Sequence, residues 1–138
     1  MPRYDAHHEA VKRALIKAGW RVTRDQLALA YDGLRVFVDL VAEKQVKSAR
    51  GNEKIAIEVK VFGKPPFVSE FEKAIGQYSL YRFMLAKTGN QRELYLAVTE
   101  KAYQDFFRIP AVQEYTAEQQ IYLLIFDPLK EEVLEWIK

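Results

Sequence analysis

The sequence contains no cysteine. That excludes disulfides, thiolate metal ligands and cysteine nucleophiles, so any metal must be held by oxygen or histidine. Histidine is scarce as well, with only His7 and His8. No apolar run approaches the roughly 18 residues of a membrane span. No charged-then-apolar leader precedes the first helical pattern, so a cytoplasmic protein with no membrane partner is expected. Low-complexity tracts, linkers and internal repeats are missing too. What remains is ordinary for one globular domain over residues 1–138, with 49% apolar and 29% charged residues.

The net charge of +2 is too small to argue for nucleic acid, but it is unevenly spread. Residues 1–24 carry six Lys or Arg against two acids, and residues 110–138 carry six acids against two bases. Lys44, Lys47, Arg50 and Lys54 extend the basic share. The asymmetry suggests a polyanion-facing side and an acidic side left for another partner.

The central stretch is Lys54–Lys60, β-branched and set between Gly51-Asn52 and Gly63-Lys64-Pro65-Pro66. Such bounds mark a buried strand between turns. By alternation Ile55, Ile57 and Val59 face one way, and Ala56, Glu58 and Lys60 the other. A carboxylate and an ammonium side by side on an apolar strand are costly unless paired or used. The plain alternative is a solvated edge-strand face.

Around this strand the pattern predicts a helix over residues 5–19, capped by Asp5, striped by Val11, Ala14, Leu15 and Ala18, and ended at Gly19. Strands follow at Trp20–Thr23, Ala28–Tyr31 and Leu34–Leu40, with Asp32-Gly33 as a hairpin turn. Residues 41–50 read as a strand end or irregular segment. Ser69, with Glu72 in a capping box, opens a helix that runs to about Lys87 and stops at Gly89-Asn90. Its core stripe is Phe71, Ile75, Tyr78 and Leu85, with Ala74 beside it. A strand at Leu94–Val98, a short helix at Glu100–Phe107 ended near Pro110, a helix at Ala111–Gln119 and a strand at Ile121–Phe126 complete the set. Glu132–Ile137 reads as a further edge strand. The expected class is α/β, one mixed central sheet flanked by helices.

Asp39 and Glu58 fall on neighbouring strands, and the Val59 carbonyl lies between Glu58 and Lys60. Two carboxylates and a carbonyl suit Mg²⁺ (or Mn²⁺), which prefers hard oxygen ligands at about 2.0–2.1 Å. A metal so placed assists phosphodiester hydrolysis, with Lys60 neutralising charge that builds up in the transition state. Glu9 on the first helix completes the acidic cluster through water. Asp39 as a strand-end residue paired to Arg35 or Lys60, Glu9 as an exposed helix-start acid and the two histidines as surface residues are the structural alternatives. Tyr95, Tyr103, Phe106 and Phe107 read as core.

Glu9 on a helix, Asp39 ending one strand and Glu58-x-Lys60 on the next resemble the PD-(D/E)xK nuclease superfamily, whose common core runs α-β-β-β-α-β. The resemblance implies a restriction-endonuclease-like core in a single domain, with Asp39 and Glu58 on the metal and Lys60 beside it. Gln77-x-x-x-Tyr81 resembles the helix motif of the exonuclease branch, which implies a catalytic part for Gln77. Val38 stands where many members carry proline.

Over nearly the whole chain, segments such as His8–Lys12, Val38–Lys44, Ile57–Lys60, Phe67–Phe71, Gly76–Tyr78 and Ile125–Pro128 resemble the XisH family of fdxN element excision controlling factors. That resemblance implies a part in excising a DNA element in cyanobacteria, beside a recombinase and a companion protein, XisI. It leaves open a DNA endonuclease or a non-catalytic DNA-binding or assembly factor. Many nucleases of this fold act as dimers, so a homo-oligomer is expected.

Overall fold

The computed structural model describes residues 4–45 and 52–138. Helix α1 (Tyr4–Lys17) is followed by β1 (Arg21–Arg24), β2 (Leu27–Tyr31), β3 (Leu34–Val38), β4 (Leu40–Gln45) and β5 (Asn52–Val59). Then come α2 (Val68–Lys87), β6 (Glu93–Thr99), α3 (Glu100–Ala102, running on as a π-helical turn over Tyr103–Phe107), α4 (Pro110–Glu118), β7 (Tyr122–Asp127) and β8 (Glu132–Ile137). Six strands form one sheet in the order β1-β4-β5-β6-β7-β8, and β2 and β3 pair separately. The β5–β6 and β6–β7 pairs are parallel and the others antiparallel, so the central sheet is mixed, as expected.

Alternation along β5 divides the core as the sequence requires. Ile55, Ile57 and Val59 pack with Ala10, Val11 and Leu15 of α1, and Ala56 packs with Ala74, Tyr78 and Leu85 of α2. Both long helices end as their glycines dictate. Gly19 (φ +92°) and Gly89 (φ +69°) take the left-handed conformation. The amide of Trp20 returns to the Leu15 carbonyl at 2.9 Å and that of Asn90 to Leu85 at 2.9 Å.

The N-terminal half differs from the expectation in one respect that matters. Asp32 (φ +47°) and Gly33 (φ +90°) do make the tight turn, and a single register runs on from Leu27–Val38 to Arg24–Val41. β1–β2 and β3–β4 are therefore one long hairpin. It bends at Gln26 (φ +108°) and Asp39, which splits the expected strand Leu34–Leu40. Beyond the bend, β2 and β3 form an arm over α2, burying Leu29, Val36 and Val38 there, while Leu40 packs on the α1 side.

Two further expectations are corrected. Ser69 does not cap α2: the cap position is Phe67 with no side-chain hydrogen bond, because the helix starts one residue before Ser69. Pro110 opens α4 rather than ending the preceding helix, which fits its missing N–H and fixed φ. Residues 40–45 are strand and Asn52 already begins β5, whereas Gly51 of the expected turn and the basic residues Lys47 and Arg50 fall outside the described residues. Among the described residues no helix is long and apolar enough to cross a membrane.

The supposed separation of charge also disappears. α1 lies against β8, and Arg13 pairs with Glu131 at 2.6 Å while Lys17 donates to the Lys130 carbonyl at 2.7 Å. Part of the N-terminal basic share is thus spent on the acidic C-terminal hairpin.

Tyr78 ties α2 to the sheet. Its hydroxyl donates to the Leu94 carbonyl at 2.7 Å and accepts from the Tyr122 amide at 3.1 Å. Tyr78→Phe keeps the ring but orphans both backbone groups. It is expected to cost about 2 kcal/mol, roughly 5–10 °C in thermal midpoint. An unchanged midpoint would show that water replaces the hydroxyl.

Candidate functional site: a buried carboxylate pair at the hairpin bend

The β4–β5 ladder ends with Leu40 opposite Ile57, and its register would next set Asp39 opposite Glu58 and then Val38 opposite Val59. The chain has turned away by then, so the Asp39 side chain takes over. Its Oδ2 accepts the Val59 amide at 2.8 Å, and the Asp39 amide lies 3.4 Å from Glu58 Oε1. In an extended strand the N–H and C=O of one residue point to the same neighbour, so the Val59 carbonyl is also directed to the Asp39 side. Asp39, Glu58 and Val59 therefore converge where two strands part.

Glu58 is only 7% exposed and sits on the α2 face of β5. Burial, reinforced by the nearby Asp39 charge, pushes its carboxyl up to about 9, with Lys60 working in the opposite direction. Burial also raises Asp39, against the lowering effects of the Val59 amide, His8 and Glu58. Tyr81 is pushed up to about 12 by burial and by both carboxylates, which places it beside the pair from α2. Ionising both acids here is costly without a cation. Hard oxygen donors in this state suit Mg²⁺ or Mn²⁺.

Lys60 follows β5, half-buried, and its charge reaches Glu58 without a direct ion pair between them among the described residues. Gln77 is half-buried one turn before Tyr81 on the same helix face. Glu9 turns toward the α1 surface and pairs with Arg13 at 3.8 Å.

From α1 it is His8, next to Glu9, that acts electrostatically on Asp39, together with Asp25 from the hairpin bend. His8 is buried, and its Nε2 bonds to Asp25 Oδ1 at 2.5 Å. Ligand atoms of His8, Glu9 and Asp25 all lie within 4.8 Å of one another. Sequence reasoning took His8 for a surface residue, which its burial corrects, and did not weigh Asp25. A signal for His8 existed: it stands three residues before Val11 and seven before Leu15, on the buried stripe of the helix. Asp25 carries no such signal, because only the bend brings it to α1.

The family model described as XisH protein matches residues 1–134. The chain belongs to the XisH family. A solved XisH family protein from Nostoc punctiforme PCC 73102 is 38% identical, with a TM-score of 0.87 over 97% of this chain and 100% of that one. An fdxN element excision controlling factor protein from Anabaena variabilis is 39% identical, with a TM-score of 0.87 over 97% of this chain and 99% of that one. No curated protein matches the sequence. In this chain the carboxylate pair sits at the point where the bent hairpin leaves the sheet.

Proposed function

We propose that this XisH protein is a divalent-metal-dependent DNA endonuclease of the PD-(D/E)xK kind that serves the excision of a DNA element. The observation that carries this reading is the buried contact between Asp39 and Glu58, with Lys60 two residues along the same strand face. The relative named as an excision controlling factor supplies the biological setting.

Asp39, Glu58 and the Val59 carbonyl would hold Mg²⁺ or Mn²⁺, with His8 as the imidazole within electrostatic reach. When bound, the ion supplies charge neutralisation at the scissile phosphate and a nucleophilic water at neutral pH. The protein's own groups do the rest. Asp39 fixes the end of β5 through the Val59 amide, and burial keeps the carboxylates from spending their charge on water. Lys60 places a positive charge where the pentavalent phosphate gains negative charge. Tyr81 of α2 would flank the pair, Gln77 stands one turn before it on the same helix face, and Glu9 of α1 would act only through water. DNA, a recombinase and an XisI-like companion are the partners this role requires, and a homo-oligomer would let two such centres cut both strands.

The competing reading is a non-catalytic factor that binds DNA or assembles the recombinase with the companion protein. That the Anabaena variabilis relative is called a controlling factor favours it, since control does not require cutting. Both readings give salt-sensitive DNA binding, so turnover separates them. Wild-type protein should nick or cut supercoiled, linear or branched DNA with Mg²⁺ or Mn²⁺, should stop with EDTA, and should lose roughly 10²- to 10³-fold in rate on Lys60→Ala. Cleavage undiminished in Lys60→Ala would remove the endonuclease reading.

A further inference from the structure

We infer that the β2–β3 arm is a DNA-reading ribbon whose outer face, built from Ala28, Ala30, Arg35 and Phe37, lies on the floor of the major groove. The inference rests on the DNA binding common to both readings above, and it names the surface that would bring a duplex to the carboxylate pair. The arm has two faces of opposite character. Leu29, Val36 and Val38 are buried against α2, whereas the alternate residues Ala28, Ala30, Arg35 and Phe37 are exposed, Phe37 by 44%. Among the described residues no strand of the main sheet joins the arm, since β2 and β3 pair only with each other. Ala28 stands opposite Phe37 and Ala30 opposite Arg35, so each long side chain rises beside a methyl group. The Arg35 guanidinium lies 5.2 Å from the Phe37 ring centroid, which orders both side chains before any ligand arrives.

Size and chemistry select duplex DNA. Two five-residue strands, about 17 Å long and about 4.8 Å apart, make a ribbon that a major groove roughly 12 Å wide admits. Arginine reads guanine through O6 and N7, and an apolar ring meets the thymine methyl. Charge is arranged to match. Arg24 is exposed at the root of the arm, and Lys87 lies over Tyr31 at its tip, 5.9 Å from the ring. Among the described residues neither these two cations nor Arg35 is in an ion pair. Arg24 and Lys87 are placed for the phosphates that border the groove. A two-fold contact between copies of this chain would instead bring two Arg35 groups together, with no carboxylate on the face to neutralise them. Phe37 and Arg35 stand two and four positions before Asp39, about 7 and 13 Å along a strand. At about 3.4 Å per base pair, the bases read would lie within about four base pairs of the cut.

Preferred sites are selected by wild type, without Mg²⁺, from short duplexes of random sequence. Affinities for the selected duplex and for the random pool are then read by fluorescence anisotropy across salt concentrations, with thermal midpoints in parallel. Arg35→Ala should weaken the selected duplex roughly 5- to 150-fold and relax the preference at that base pair. Arg35→Lys should lose the same preference while binding the pool like wild type. Arg24→Ala and Lys87→Ala should weaken all duplexes alike, each lowering the salt slope by about one. Ala30→Glu, at an exposed position that guards against misfolding, should weaken binding about tenfold or more. Wild-type affinity and preference in both Arg35→Ala and Ala30→Glu overturn the inference, and so does a wild type that selects no sequence. A fall in molar mass by light scattering in these variants, with DNA affinity unchanged, would assign the face to a second copy and overturn it too. If those variants still cut DNA like wild type, the endonuclease reading survives alone. If wild type binds DNA through the arm and cuts none, that reading falls and the ribbon stands. If wild type binds no DNA, both fall together.

Discussion

Asp39→Ala is expected to abolish measurable divalent-ion binding and to lower metal-dependent cleavage by roughly 10³-fold or more, the largest effect of any single change in this chain. Asp39 has two duties, and two variants separate them. Its charge is half of the carboxylate pair, and its Oδ2 is the acceptor for the Val59 amide at 2.8 Å. Alanine removes both, orphaning a buried N–H at a cost of about 1–3 kcal/mol. Part of that cost is offset because Glu58 no longer faces a like charge. Asparagine keeps an acceptor oxygen and removes only the charge. Asp39→Asn should therefore fold at near wild-type stability while binding Mn²⁺ almost as poorly as the alanine variant, as read by calorimetry and thermal unfolding. An Asp39→Asn protein that cuts DNA at the wild-type rate would mean that the carboxylate is only a backbone cap.

Glu58→Gln is expected to raise the stability of the metal-free protein at pH 8–9 by about 2–4 kcal/mol, roughly 5–15 °C in thermal midpoint. Burial and Asp39 put the folded-state Glu58 pKa at about 9, above the ordinary 4.5. The folded protein thus holds a proton that the unfolded chain releases near 4.5. The stabilising contribution of neutral Glu58 is full below that pH and is lost as pH rises through about 9. Wild type should lose stability across this window, while Gln, which has no proton to lose, should give a flatter profile. The groups facing Glu58 are Asp39 from the bend, Lys60 from its own strand and Tyr81 from α2. The Asp39 backbone amide and Lys60 favour the ionised form and limit the size of the effect. Saturating Mn²⁺ should restore wild type at pH 8–9 and do little for the Gln variant. A wild-type profile that stays level between pH 5 and 9 would show that Glu58 ionises without penalty, and the case for a cation-dependent centre would lose its main support.

Much of this arrangement was legible before any coordinates. The period of α1, the Asp32-Gly33 turn and the alternation through Lys54–Lys60 are local properties, and each agrees with the fold. Glu58 and Asp39 could be named because an acid in an apolar strand stands out against its neighbours. The break at Asp39 could not be read. Leu34, Val36, Val38 and Leu40 alternate without interruption, so the pattern looks like one strand. Yet Val38 packs toward α2 and Leu40 toward α1, because the hairpin bends there and only its β1–β4 half joins β5. Such a bend is a property of the assembled sheet and leaves no mark on the period. Asp25 was invisible for the same reason. The Ser69 cap failed differently: the residue type was suitable, but the helix begins at Val68 and leaves Ser69 inside the first turn.

One residue at the bend is both the joint of the arm and half of the charge pair. Leu29, Val36 and Val38, wedged against α2, fix the angle at which the arm leaves the sheet. That angle sets the distance between two oxygen-bearing side chains nineteen positions apart. The grease under the arm is thus the gauge block of the site, and loosening it would detune the chemistry without touching a polar atom.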